Sequence, residues 1–228
     1  EPVAITFYEE LNNVSIYEYG CLPHPTLSYF GASPDGICDP ISNNLKYIGR
    51  MLEIKCPKSR AITGIVPEYY ELQVQGQLEV CELDYCDFLE CSIKEYSSKE
   101  DYINDTKMIK KGIVLEKYDT ELNKSIYIYK DGLYSDSAID AWVNLEIDTI
   151  FLNDRYDYIG VYYWKLEDYK ITLIQRDKQR FNNELLPKIT SFWNDVLYYR
   201  KHGHHSLIKT PKKIKKKEVI LEFLSDSD

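Results

Sequence analysis

Gly31-Ala-Ser-Pro-Asp-Gly-Ile37 and, after a polar interval, Met51-Leu-Glu-Ile-Lys-Cys-Pro57 are the stretches on which the reading of the chain turns. The first sets a carboxylate, Asp35, in a Pro-Asp-Gly turn. The second has the apolar alternation and terminating proline of a short strand, predicted over residues 47–56, with Glu53 and Lys55 two residues apart. Side chains at i and i+2 of a strand share a face. Glu53 and Lys55 therefore project together, and a hairpin pairing of the two stretches would bring Asp35 to them. Two converging carboxylates suit a hard divalent cation such as Mg²⁺. An ammonium beside them can orient a water and stabilise charge on a phosphate.

Working outward, Val3, Phe7 and Leu11 recur at helical spacing and predict a helix over residues 1–11, ended by Asn12-Asn13. A strand is expected over 15–21, broken by Pro23 and Pro25, and a polar loop over 38–45. Pro67 suits the first turn of a helix running to about residue 83, with Tyr70, Gln73 and Gln77 on one face. Beyond it come a strand over 85–96, a polar loop over 97–105, and strands over 112–118 and 125–130 followed by the turn pair Asp131-Gly132. A helix over 136–152 precedes a strand pair, 158–166 and 169–175, joined by Glu167-Asp168. An amphipathic helix over 177–199 contains Pro187 and should kink or split there. From Lys201 on there is no core pattern. His202, His204, His205, the run Lys212, Lys213, Lys215, Lys216 and Lys217, and the acidic end with Asp226 and Asp228 read as a disordered tail. Its lysines leave open a nucleic-acid-binding or nuclear-import segment. The order of elements predicts an α/β fold, a central mixed β-sheet flanked by helices, as one domain over 1–200 followed by a tail over 201–228.

Composition narrows the function classes. A chain of 228 residues with 44% hydrophobic residues can bury a sizeable core. No apolar run approaches the roughly 18 residues of a membrane span. Six scattered cysteines without a CxxC pair read as reduced thiols and an intracellular setting. The five-residue spacing of Cys81, Cys86 and Cys91 suits no zinc site. A net charge of −9 argues against non-specific coating of nucleic acid, while leaving room for a local basic channel. Lys58 and Arg60, just beyond the second stretch, are candidate contacts to substrate phosphates.

Gly31-Ala-Ser-Pro-Asp-Gly36, Leu52-Glu-Ile-Lys-Cys-Pro57 and Tyr70-Glu-Leu-Gln-Val-Gln75, in that order, resemble the PD-(D/E)XK nuclease superfamily. The chain is most similar to its branch of YqaJ-like viral recombinases and bacteriophage lambda exonuclease. The similarity continues at Arg176-Asp177, Leu186-Pro187 and Phe192-Trp193, and is loose over 97–158. It implies a restriction-endonuclease-like core and a Mg²⁺-dependent deoxyribonuclease, with Mn²⁺ able to substitute. The implied activity is 5′-to-3′ degradation of one strand of linear double-stranded DNA, leaving 3′ single-stranded ends for viral or phage recombination or replication. By that resemblance Asp35, Glu53, the backbone of Ile54 and the upstream helix residue Glu1 hold the metal. Lys55 positions or helps deprotonate the attacking water, and Gln73 lies in the active site. Ser33 and Tyr70 join Lys58 and Arg60 as expected substrate contacts. A single-strand annealing protein as partner, a ring-shaped trimer, and a host cytoplasmic or nuclear location are implied as well. The part of the family domain preceding Glu1 is expected to be missing. A structure-specific or restriction-type endonuclease, and a catalytically idle DNA-binding module, remain alternatives.

Overall fold

Helix α1 (Pro2–Asn12) begins with Pro2 in the first turn, where an N–H would have no intrahelical partner in any case. It buries Ala4, Ile5, Phe7 and Tyr8 and stops at Asn13, whose left-handed backbone (φ 54°) returns its N–H to the carbonyl of Glu9. The structure, a computed structural model, describes residues 1–41, 43–204 and 207. These fall into one unit from Glu1 to Leu186 and a second beginning at Pro187.

After α1 come β1 (Ile16–Tyr17), β2 (Leu22–Pro23), β3 (Gly31–Ala32), β4 (Gly36–Cys38) and β5 (Met51–Lys55). Helix α2 (Glu68–Cys81), β6 (Tyr85–Glu95), α3 (Lys99–Asn104), β7 (Lys110–Asp119), β8 (Lys124–Asp131), α4 (Asp136–Phe151) and β9 (Tyr156–Gln175) follow. Seven strands form one sheet in the order β1-β4-β5-β6-β9-β7-β8, and β2 and β3 pair separately. Among the described residues only β5 and β6 run parallel, with α2 as the crossover that a parallel pair requires. The expected mixed sheet flanked by helices is the observed architecture.

Strand alternation assigns the faces of the sheet. Leu52, Ile54, Leu89 and Cys91 pack with Ala4, Ile5, Phe7 and Tyr8 of α1. Met51, Cys86 and Phe88 pack with Val74 and Leu78 of α2. Helices α1 and α2 thus cover opposite faces, and Glu53 and Lys55, in phase with Met51, face α2. A third cluster around Tyr102, Ile113 and Ile139 seats α3 and α4. Gly36 is required by close approach: a Cβ there would lie 2.2 Å from Ile16 Cγ2. The glycine of the Pro-Asp-Gly turn therefore lets β1 lie against β4, just after Asp35.

Three expectations are corrected. The strand over 15–21 shrinks to β1, and Pro23, expected as a breaker, sits in β2 opposite Gly31. The polar loop over 97–105 contains α3. Ser98 caps it by accepting the N–H of Asp101, Tyr102 anchors it in the core, and the ammonium of Lys111 donates to the carbonyls of Tyr102 and Asp105 at its end. Residues 158–175 are not a hairpin but one strand, β9, which pairs with β7 along its first half and β6 along its second. Glu167, read as part of a turn, is a bulge residue skipped between Leu166 and Asp168. The helix over 177–199 is interrupted near Pro187 as expected, into a short α5 (Lys178–Arg180), a π-turn (Phe181–Leu185) and α6 (Leu186–His202). Pro187 has no N–H to continue an α-helical ladder, and the wider turn just before it absorbs the break.

Within the second unit, the Arg200 guanidinium lies 5.3 Å from the Trp193 ring centre and His202 stacks on Tyr198. Lys201 and His202 complete α6. His205, the lysine run and the acidic end of the expected tail lie outside the described residues. Among the described residues, no helix is long and apolar enough to cross a membrane.

Candidate active site

The antiparallel pairing of β4 with β5 sets Gly36 opposite Leu52 and Ile37 opposite Met51. Asp35, one residue before β4, is thereby carried to the end of β5, where its Oδ2 accepts the N–H of Ile54 at 2.6 Å. Glu53 is 1% exposed. From α2, Gln73 Nε2 donates to its Oε1 and Gln77 Nε2 to its Oε2, each at 2.8 Å. Lys55 Nζ closes on the same Oε1, an ion pair between i and i+2 of one strand. The Lys55 ammonium also lies 5.0 Å from the ring centre of Tyr70, which rests on Phe88. Helix α2 thus forms one wall with three residues of a single face, Tyr70, Gln73 and Gln77.

Burial pushes the Asp35 carboxyl above its ordinary range. The Ile54 N–H and the Lys55 ammonium oppose that rise, while Glu1 adds to it by charge and by a side-chain hydrogen bond. Two carboxyl groups in hydrogen-bond contact must share a proton or a cation. Glu1 reaches Asp35 from the N-cap of α1, so the site is bounded by helices on both faces of the sheet. Among the described residues, no three Asp, Glu, His or Cys side chains cluster closely enough to hold a metal by themselves. The donors present are all oxygens, and burial pushes one of the carboxyls above its ordinary range. Such a set fits a hard cation that completes its shell with water and substrate oxygens, as Mg²⁺ does.

Of the residues singled out from sequence, Asp35, Glu53, Ile54, Lys55, Gln73, Tyr70 and Glu1 converge here. The other expected contacts sit differently. Ser33 is exposed, and it is its carbonyl that faces the site, accepting Gln77 Nε2 at 3.3 Å. Lys58 is exposed, with its carbonyl receiving Lys94 Nζ at 3.2 Å. Arg60 is turned onto Glu90, Nη2 to Oε1 at 2.6 Å. Glu90 is fully buried and stands in register beside Lys55.

Two site residues escaped the sequence reading. Gln77 had no role assigned, although its phase with Tyr70 and Gln73 is the signal that places it on Glu53. Glu90 offered only a charge inside an otherwise apolar strand. Gln75 points elsewhere: it donates to the carbonyl of Gln175 and accepts the N–H of Asp177, tying α2 to the end of β9.

Residues 1–84 match the family described as the YqaJ-like viral recombinase domain. The resemblance read from the motifs is borne out over that stretch, which carries Glu1, Asp35, Glu53, Lys55, Gln73 and Gln77. An uncharacterized protein of Acanthamoeba polyphaga mimivirus is 38% identical over 251 residues. That alignment covers 94% of this chain, which spans about half, 46%, of the length of the relative it matches. An alkaline exonuclease from Laribacter hongkongensis is 20% identical, with a TM-score of 0.46 over 91% of this chain and 71% of that one. The structure of that exonuclease in complex with dAMP is 21% identical, with a TM-score of 0.35 over 66% of this chain and 67% of that one.

Proposed function

We propose that the chain is a divalent-metal-dependent deoxyribonuclease that degrades linear duplex DNA from the 5′ end and leaves 3′ single-stranded ends. The observation that carries this reading is the arrangement on β5. Glu53 is gripped by Lys55, Gln73 and Gln77 while Asp35 is pinned to the next backbone N–H, in the segment that matches the YqaJ-like family.

Asp35, Glu53, Glu1 and the backbone carbonyl of Ile54 are the groups that would hold Mg²⁺, or Mn²⁺ in its place, and the ion would supply Lewis-acid polarisation of the scissile phosphate. The chain's own groups do the rest. Lys55 has three N–H donors and gives one to Glu53. The others can orient the attacking water or neutralise a phosphoryl oxygen as charge develops on it. Gln73 and Gln77 fix the plane of the Glu53 carboxylate without competing for its charge, since an amide carries none. Tyr70 holds the lysine stem and keeps the ammonium over the site. Arg60, braced by Glu90 and with its side chain 33% exposed, is positioned to contact a backbone phosphate. On the same reading the 3′ tails pass to a single-strand annealing protein, and a ring-shaped trimer encloses the DNA.

The test is a time course on 5′-labelled linear duplex and on covalently closed circular DNA, with Mg²⁺, Mn²⁺ or chelator. Early release of labelled mononucleotide from the linear duplex, with the circle intact, is the expected result. Cutting of the closed circle would assign the site to an endonuclease. No cleavage with either cation would leave a DNA-binding module.

A further inference from the structure

Cys56 and Cys91 meet on the face of the sheet opposite α2. The parallel register pairs Lys55 with Glu90, so the next residues along the two strands are cross-strand neighbours. Cys91 packs with Leu89 and Ile54 beneath α1. Each thiol lies near enough to perturb the other, lowering the Cys56 thiol and raising the Cys91 thiol. Cys56 is exposed and Cys91 fully buried, so one sulfur is open to a reagent while the other waits behind it. Adjacent strands lie about 4.8 Å apart. That spacing falls within the roughly 4.4–6.8 Å of Cα separation that a disulfide spans.

We propose that Cys56 and Cys91 are a redox pair that a hydroperoxide closes to an intrachain disulfide, and that the closed form cleaves DNA more slowly than the dithiol. With hydrogen peroxide, the Cys56 sulfur attacks one oxygen, the O–O bond breaks, and a sulfenic acid and a water result. The Cys91 sulfur then attacks the Cys56 sulfur. The S–S bond forms, the S–O bond breaks, and the hydroxyl leaves with the Cys91 proton as a second water. Two thiols lose two hydrogens and two electrons, and the peroxide is reduced to two waters. The cross-link acts on the site because Cys56 directly follows Lys55 and stands close enough to Glu1 and Asp35 to feel their charges. Drawing the end of β5 toward β6 shifts Lys55 relative to Glu53. This second effect rests on the nuclease reading; the covalent step does not.

The experiment treats the parent, Cys56→Ser and Cys91→Ala with hydrogen peroxide, then counts free thiols and maps unreduced peptides by mass. The parent is expected to lose two thiols and yield one peptide pair joined through Cys56 and Cys91, with neither lost as such a pair in Cys56→Ser. Retention of both thiols, a sulfinic acid on Cys56 with Cys91 free, or cross-links only between chains would overturn the pair. Should Cys91→Ala fail to fold, the exposed Cys56→Ser change still decides it. Cleavage by the oxidised parent is expected to fall several-fold and return with dithiothreitol, while Cys56→Ser stays insensitive. Undiminished cleavage by fully cross-linked protein defeats the regulatory half. A reduced parent that cuts nothing defeats the nuclease reading together with that half, and the peptide map still rules on the disulfide.

Discussion

At the turn after β7, Arg155 clamps both oxygens of Asp119 through Nε and Nη2, at 2.7 to 3.0 Å, and the N–H groups of Glu121 and Leu122 donate to the same carboxylate. These partners hold the Asp119 carboxyl down from 3.8 to about 2, the Arg155 hydrogen bonds first among them. Asp35 is handled the other way. It has one backbone N–H and a neighbouring glutamate, and burial pushes its carboxyl up. Asp87 follows the first pattern, with Arg50 on one oxygen and the Tyr8 hydroxyl on the other. Glu53 receives two neutral amides and one ammonium rather than a guanidinium. At Asp119 and Asp87 the chain thus supplies an arginine, forked at the first and through one nitrogen at the second. At the end of β5 it buries Asp35 beside Glu1 without an arginine, and burial raises the Asp35 carboxyl; on the proposed function those oxygens would receive the cation.

The comparison breaks most visibly if the two regions respond alike to mutation. Lys55→Ala should lower the cleavage rate by about 100-fold or more, the scale for losing a positioned proton-transfer or charge-stabilising group, with little change in thermal midpoint. Arg155→Ala should do the reverse: the midpoint falls by several degrees because Asp119 loses its clamp, and cleavage at a permissive temperature is kept. Full activity in Lys55→Ala, measured on the same labelled duplex, would remove that lysine from the chemistry. The acid limb separates the regions as well. The lowered carboxyl of Asp119 contributes stability that is present above its ordinary value and lost as pH falls toward about 2. Arg155→Ala should therefore flatten the acid-unfolding curve in that window.

A smaller effect of opposite sign is expected at Asp35. Its carboxyl is raised, so its contribution to stability is present below the ordinary carboxylate range and is lost as pH rises through the raised value. At neutral pH, in chelator, Asp35→Asn should melt at a higher temperature than the parent and show a weaker pH dependence, while being inactive. Adding Mg²⁺ should narrow the gap by stabilising the parent alone. A variant that melts lower in chelator would show that Asp35 is a structural residue like Asp119.

Much of this site was legible because its residues lie close in sequence and their periodicity is strong. Asp35, Glu53 and Lys55 follow from a turn and a strand, and Gln73 from the resemblance of Tyr70-Glu-Leu-Gln-Val-Gln75 to the family motif. What sequence could not show lies in side-chain direction and long-range register. Gln77 shares the phase of Gln73, but that it reaches the second oxygen of Glu53, while Gln75 ties α2 to the end of β9, depends on how α2 packs on the sheet. Glu90 becomes a neighbour of Lys55 through the parallel pairing of β5 with β6, which nothing local encodes. The same holds for the fold. Glu167-Asp168 carries turn chemistry, yet β9 continues because β6 and β7 supply two different partners for its halves. Residues 97–105 look like loop until Ser98 and Lys111 are seen closing the two ends of α3.

Glu90 offers the finest test of the contrast, because it is a buried carboxylate beside the site that does meet an arginine. Its only ion-pair partner among the described residues is Arg60, and that contact is close but poorly aligned for hydrogen bonding. A carboxylate in that state braces Arg60 rather than locking it, leaving the guanidinium free to exchange a partner for a phosphate. Glu90→Gln removes the charge at nearly constant volume. It should raise the KM for duplex DNA a few-fold with kcat held, and the loss should shrink as salt is added, since phosphate contacts weaken with ionic strength. If kcat falls instead and KM stays, Glu90 acts on Lys55, its neighbour in the register, and the division between structural and reactive carboxylates must be redrawn to place it with Glu53.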